Sequence, residues 1–168
     1  TTLSNAIGGG VWSSSNTSVA TVSGGVVTGV ASGNATISYA VTNGCGTAYA
    51  TQAVTVNPLP ASIGGTLSVC AGLTTTLTDA DAGGTWSSSN GNVTVGSSSG
   101  VVTGVTAGNS TITYTLPTGC INTAVVTVNP LPAAIGGTLS VCAGLATTLT
   151  DADAGGTWSS SNGNATVG

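Results

Sequence analysis

The sequence predicts an all-β protein made of tandem antiparallel β-sandwiches, about seven strands in each, arranged as beads on a rod. Three observations point there. Short runs rich in Val, Ile, Thr and Tyr are separated by Gly, Asn and Pro along the whole chain, the pattern of strands and turns. No window spaces apolar residues three and four apart between caps, so helix is not expected anywhere. The chain also repeats itself: residues 57–96 and 129–168 align without a gap and differ only at Ser62/Ala134, Thr74/Ala146 and Val93/Ala165. Near identity at a fixed period marks a repeat architecture.

The organising stretch is residues 11–39, VWSSSNTSVATVSGGVVTGVASGNATISY, which returns at 85–114 and begins again at 157. The opening segment TTLSNAIGGGVWSSSN matches TTLTDADAGGTWSSSN from Thr75, so 1–57 is expected to be a partial unit lacking its first strand. A complete unit follows at 58–129, and 130–168 is a partial unit lacking the last strands. With Thr as first residue, the sequence reads as a processed chain or, as the repeats favour, a window on a longer one.

In the complete unit, strands are expected at 63–70, 73–79, 84–88, 92–95, 100–105, 110–116 and 120–128. Ile112 and Tyr114 share one face of the sixth run while Thr111, Thr113 and Thr115 share the other, the alternation of a half-buried strand. Leu73 and Leu77 are expected to do the same in the second. Trp86 is the largest apolar side chain of the unit and, like Trp12 and Trp158 in the partial units, is expected to anchor a core. Residues 87–90 should turn the chain, because Ser and Asn bond locally to the backbone. Gly100, Gly104 and Gly108 fall where turns or bulges need a residue without a side chain.

Composition excludes several functions. The chain has no Lys, Arg or His, and its only charged side chains are Asp79, Asp81, Asp151 and Asp153. Nucleic-acid binding depends on cations that neutralise phosphates, so nucleic acid is not an expected partner. An anionic membrane surface lacks its electrostatic partner, and no apolar run approaches the roughly 18 residues of a spanning helix. Catalysis lacks a His, Lys, Arg or Glu to move protons or stabilise charge, so the chain is not expected to be an enzyme. Charged residues make up 2 % of the chain against about a quarter in an ordinary soluble domain, so solubility must come from Ser, Thr, Asn and Gly. The absence of trypsin-type cleavage positions suits a secreted or cell-surface protein. Disorder does not fit, because 40 % of residues are apolar.

One core of about seventy residues is marginal, and two features are expected to reinforce it. The first is a disulfide. Cys70 precedes the second strand and Cys120 the last, so a Cys70–Cys120 bridge would tie both ends of the unit, at roughly 4 kcal/mol by chain entropy. Cys45–Cys70 across the junction is the competing connectivity, and reduced, buried cysteine is the third. Cys45 holds the late position and Cys142 the early position of their own units. The second feature is the linker: Asn57-Pro58-Leu59-Pro60 recurs as Asn129-Pro130-Leu131-Pro132. Proline fixes φ and biases the residue before it toward extended backbone, so the joint should be stiff and successive units should form a rod.

These residues resemble a known family. W-S-S-S-N-x-S-V-A-T-V at 12–22, followed by G-V-V-T-G-V-x-x-G-x-A-T-I at 25–37, is similar to the bacterial Ig-like domain of group 2. The segments V-N-P-L-P-A-x-I-x-G and V-C-x-G-x-x-T-T-L-T resemble the version found in long repetitive surface adhesins and filament proteins of Bacteroidota. The resemblance implies Ig-like sandwiches in an extracellular protein. The cysteines sit at strand ends and not against the core Trp, so the antibody-type Cys-Trp-Cys core is not carried over.

Asp79-Ala80-Asp81 and Asp151-Ala152-Asp153 are the only carboxylate clusters. With the Gly83 and Gly84 carbonyls they begin a weak calcium site, but the spacing falls short of an EF-hand loop. The first copy has Asn5 and Ile7 in place of the acids. A solvated loop is the plainer reading, and no cofactor is expected. The Thr faces do not make a flat ice-binding array on a twisted sheet. The function expected is therefore structural: a non-catalytic shaft of a surface adhesin or filament, with neighbouring repeats as partners. The alternatives are a module that binds glycans or a receptor on a host or cell surface through exposed loops, and a fibre assembled by strand exchange between chains.

Overall fold

The computed structural model describes residues 1–167, and every regular element among them is a strand. In the N-terminal part, β1 (Val11–Ser14), β4 (Gly33–Asn43) and β5 (Gly46–Val56) form one sheet in the order β1-β4-β5, and β2 (Ala20–Ser23) pairs with β3 (Val26–Gly29) in a second. Ala20, Val27, Ala35 and Ile37 are buried between them, with Trp12 half-buried at the edge.

Residues 58–129 build a complete two-sheet sandwich. Its strands are β6 (Gly64–Gly65), β7 (Ser68–Cys70), β8 (Thr74–Thr78), β9 (Thr85–Ser88), β10 (Val93–Val95), β11 (Val101–Gly104), β12 (Gly108–Thr115) and β13 (Ile121–Asn129). One sheet has the order β7-β13-β12-β9 and the other β10-β11-β8-β6. The expected run at 63–70 is thus two strands, one in each sheet. Gly64 and Gly65 pair antiparallel with Thr78 and Leu77, whereas β7 pairs with β13 in parallel, the one parallel pairing in the unit. The first strand changes sheets at residues 66–67, which propensity along the run does not reveal.

The core contains Val69, Leu77, Trp86, Val93, Val102, Ile112, Tyr114, Val126 and Val128. Alternation along β12 buries Ser110, Ile112 and Tyr114 and leaves Thr111, Thr113 and Thr115 half-buried, as the sequence predicts. Trp86 and Tyr114 are directly opposite across β9 and β12, with ring centroids 4.6 Å apart and planes tilted 44°. That tilted contact is a favoured aromatic geometry and adds to their burial. Trp12 and Tyr39 repeat the pair at 4.7 Å and 48°. Leu73 departs from expectation: it lies in the turn before β8, outside the pleat that buries Leu77, and is exposed.

In 130–167 only β14 (Gly136–Gly137) and β15 (Leu149–Thr150) pair, in the register that β6 and β8 use. Val141 is 50 % exposed where its identical counterpart Val69 is 7 % exposed. Val69 owes its burial to the sheet containing β12 and β13, and the sequence after 130 holds no copy of those strands. For the same reason Trp158 does not anchor a core and is 41 % exposed.

Candidate functional site: the joint between units

A set of long-range polar contacts gathers where the linker meets the complete unit. Asn57, Pro58, Leu59 and Pro60 run without strand pairing, and Pro60 is buried while Leu59 points to solvent. Three side chains of the unit hold this segment. Asp81 Oδ2 accepts the Ala61 N–H at 2.8 Å. Asn122 Nδ2 donates to the carbonyls of Ala61 at 2.7 Å and Pro60 at 3.3 Å. The Cys120 thiol lies 3.9 Å from the Asn57 carbonyl oxygen. Proline has no N–H, so a Pro-Leu-Pro linker is held through its carbonyls and its neighbours' amides. That is the set of groups engaged.

The loop carrying Asp81 is itself latched. Asp79 Oδ1 accepts the Asp81 N–H at 2.9 Å, closing a local turn. The Tyr114 hydroxyl donates to the Asp81 carbonyl at 2.6 Å and accepts the Gly84 N–H at 2.9 Å, reaching out of the core to fix both sides of the loop. Gly84 must be glycine, because a Cβ there would collide with the Tyr114 ring. The N-terminal copy makes the same loop without acids: Asn5 Oδ1 accepts from Ile7 N, and Tyr39 bridges the Ile7 carbonyl and Gly10 N. An Asn suffices for the turn, so the carboxylate at 81 is surplus to the loop and serves the linker. The third copy repeats the grip, with Asp153 Oδ2 accepting from Ala133 N and Asp151 Oδ1 from Asp153 N.

This assigns the Asp-Ala-Asp motifs a structural use. Among the described residues, no group of three or more His, Cys, Asp or Glu side chains is placed to hold a metal ion. Replacing Asp81 by alanine is expected to remove one hydrogen bond, about 1 kcal/mol, and to speed amide exchange at Ala61 roughly five- to tenfold. Unchanged exchange at that amide would show that Asp81 does not hold the linker.

The far end of the unit is built differently. Asn129 ends β13 directly beside Cys70 of β7, and Ala71 N donates to the Asn129 carbonyl at 2.9 Å. This overturns the expected Cys70–Cys120 bridge. Cys70 pairs with the last residue of β13 and Cys120 precedes its first, so nine residues, roughly 30 Å of strand, separate them. A disulfide needs Cα atoms within about 7 Å. Spacing along the chain did not show that the two cysteines mark opposite poles. The Cys45–Cys70 alternative fails similarly, because Cys45 is at the tip of the β4–β5 hairpin, the whole length of β5 from Asn57. All four cysteines are free thiols.

Asn122 and Tyr114 were not singled out from the sequence as holding the joint. Tyr114 had a visible signal, since Tyr39 recurs at the same place in the first copy. Asn122 had a weaker one, a polar residue at the start of an otherwise Val- and Thr-rich strand. Pro60 is buried, while Pro58 and Pro132 are exposed. A hollow of about 650 Å³ is lined by residues 141–149, Trp158 and 163–167. Their counterparts Val69, Leu77, Trp86 and Val93 form the core of the complete unit, so the hollow is uncovered core and not a ligand pocket.

Comparison with known proteins adds the following. No curated protein matches the chain. The crystal structure of the S-layer protein SbsC domains 4 and 5 is similar at 26% identity over 73% of this chain and 70% of that chain, with a TM-score of 0.27. The structure of surface layer protein SbsC, domains 4-9, is similar at 23% identity over 86% of this chain, with a TM-score of 0.26; this chain covers 28% of that one. The bacterial Ig-like domain (group 2) matches residues 1–52, the copy that carries the Trp12 motif, in keeping with the sandwich fold.

Proposed function

We propose that the chain is a run of Ig-like units from the shaft of an extracellular or cell-surface protein, and that its role is mechanical and non-catalytic. The observation that carries this reading is the grip of Asp81 and Asn122 on the linker, which fixes the incoming chain to the unit that follows. Near identity of residues 57–96 and 129–168 supports it, because copies differing at three positions leave little room for specialised binding loops. Neighbouring repeats are the partners of each unit.

The topology suits tension along the chain. Force reaches the unit at Ala61, beside the start of β13, and leaves at Asn129, the end of β13. β7 and β13 run parallel, so pulling their opposite ends loads the bonds between them together and in shear. Peeling would break them one at a time and resist less. Single-molecule pulling of the full chain is expected to give one distinct unfolding event for residues 58–129, releasing roughly 200 Å of chain. Extension without a resolvable event would contradict the mechanical role.

A further inference from the structure

We propose that the cysteines form disulfides between successive units, joining the early cysteine of one unit to the late cysteine of the next. The inference rests on the reading that the units continue in series. Three observations lead to it. Cys70, in the early position, is in register with Asn129, whose carbonyl accepts from Ala71 N. Cys120, in the late position, has its sulfur 3.9 Å from the carbonyl oxygen of Asn57. Asn57 and Asn129 are the same position of the repeat, each preceded by Val-Thr-Val and followed by Pro-Leu-Pro.

The two strand ends also have the same pairing, Val56 opposite Gly33 and Val128 opposite Gly108. One junction carbonyl is therefore flanked from behind by the early cysteine of its own unit and from ahead by the late cysteine of the following unit. Cys70 and Cys120 are each half-buried in the unit that carries them, and repetition of the unit would bring an early and a late thiol to the same junction residue. In residues 1–168 the cysteines run late, early, late, early at 45, 70, 120 and 142. No early cysteine here is followed by the late cysteine of the next unit, which is consistent with four free thiols.

Each bridge forms one S–S bond from two thiols, which give up two protons and two electrons to an external disulfide that is itself cleaved to two thiols. The bond would close the joint covalently at the residue before the prolines. Asp81 and Asn122 hold the linker without sulfur, so the mechanical reading survives if the bridge does not form.

The test extends the full chain, carrying Cys120→Ser, by a second copy of residues 97–129. This completes the last unit and adds one late cysteine. Loss of acrylamide quenching at Trp158 reports that the unit has folded. After equilibration with oxidised glutathione, peptide mapping is expected to link Cys70 to the added cysteine, leaving Cys45 and Cys142 as thiols. Thr74 and Ala146 give the Cys70 and Cys142 peptides different masses. The same chain with Cys70→Ser should leave the added cysteine free. A link from Cys142 to the added cysteine, a Cys45–Cys70 link, or four free thiols in the folded chain would overturn the proposal. So would a Cys70–Cys120 link in the unextended chain.

Discussion

Replacing Trp86 by alanine is expected to destabilise residues 58–129 by about 3–5 kcal/mol, the range for truncating a large buried aromatic. Trp86 is 7 % exposed and stacks across the strands on Tyr114, whose hydroxyl latches the Asp79–Asp81 loop. Loss of the indole therefore leaves a cavity and also frees the ring that positions the linker grip. A domain of this size has only about 5–15 kcal/mol in total, so much of its stability would go. Denaturant unfolding followed by circular dichroism measures the loss. Trp158→Ala is the control: at 41 % exposure, with no covering strands, it should change stability by less than about 0.5 kcal/mol. Equal effects from the two substitutions would refute the assignment of the core.

Gly100→Ala should cost about 2–4 kcal/mol, from two sources that add. The residue has φ +66°, which an L side chain adopts at a cost, and its N–H is committed to the Gly96 carbonyl within the turn that brings β10 to β11. A Cβ at this position would collide with the Leu77 carbonyl oxygen and press on the Trp86 ring at 3.2 Å. The Leu77 N–H bonds to the Gly100 carbonyl at 2.9 Å, so the backbone cannot move away without breaking a contact between β8 and the turn. The equilibrium midpoint in denaturant checks this. A loss under about 1 kcal/mol would mean that the turn adapts more freely than close packing allows.

What was legible in the sequence was what alternation and turn chemistry control. The β12 faces followed from Ile112 and Tyr114 alternating with threonines, and the Trp86 core from its being the largest apolar side chain of the unit. The Ser and Asn residues after Trp86 turn the chain as expected: Asn92 N donates to Asn90 Oδ1, and Asn90 Nδ2 reaches the Asn109 carbonyl. Misread features depended on pairing between distant segments. Whether Cys70 lies near Cys120 is decided by the parallel register of β7 on β13, which neither local sequence specifies. The division of the first run between two sheets has the same origin. Leu73 looked like core because it is spaced for a strand from Leu77, yet the turn at Ala71–Gly72 places it outside the pleat. The joint was half legible: the prolines announced a stiff linker, but its anchoring by Asp81 and Asn122 needed the fold to bring residues 20 and 61 positions apart together.

If each linker is fixed to the unit after it, as proposed, units in series make a rod. Electron micrographs of the native protein test it most directly. The expected image is a straight row of beads at a regular spacing of roughly 40 Å, the length of β13 plus four extended linker residues. Beads at variable spacing with freely scattered angles between neighbours would contradict it.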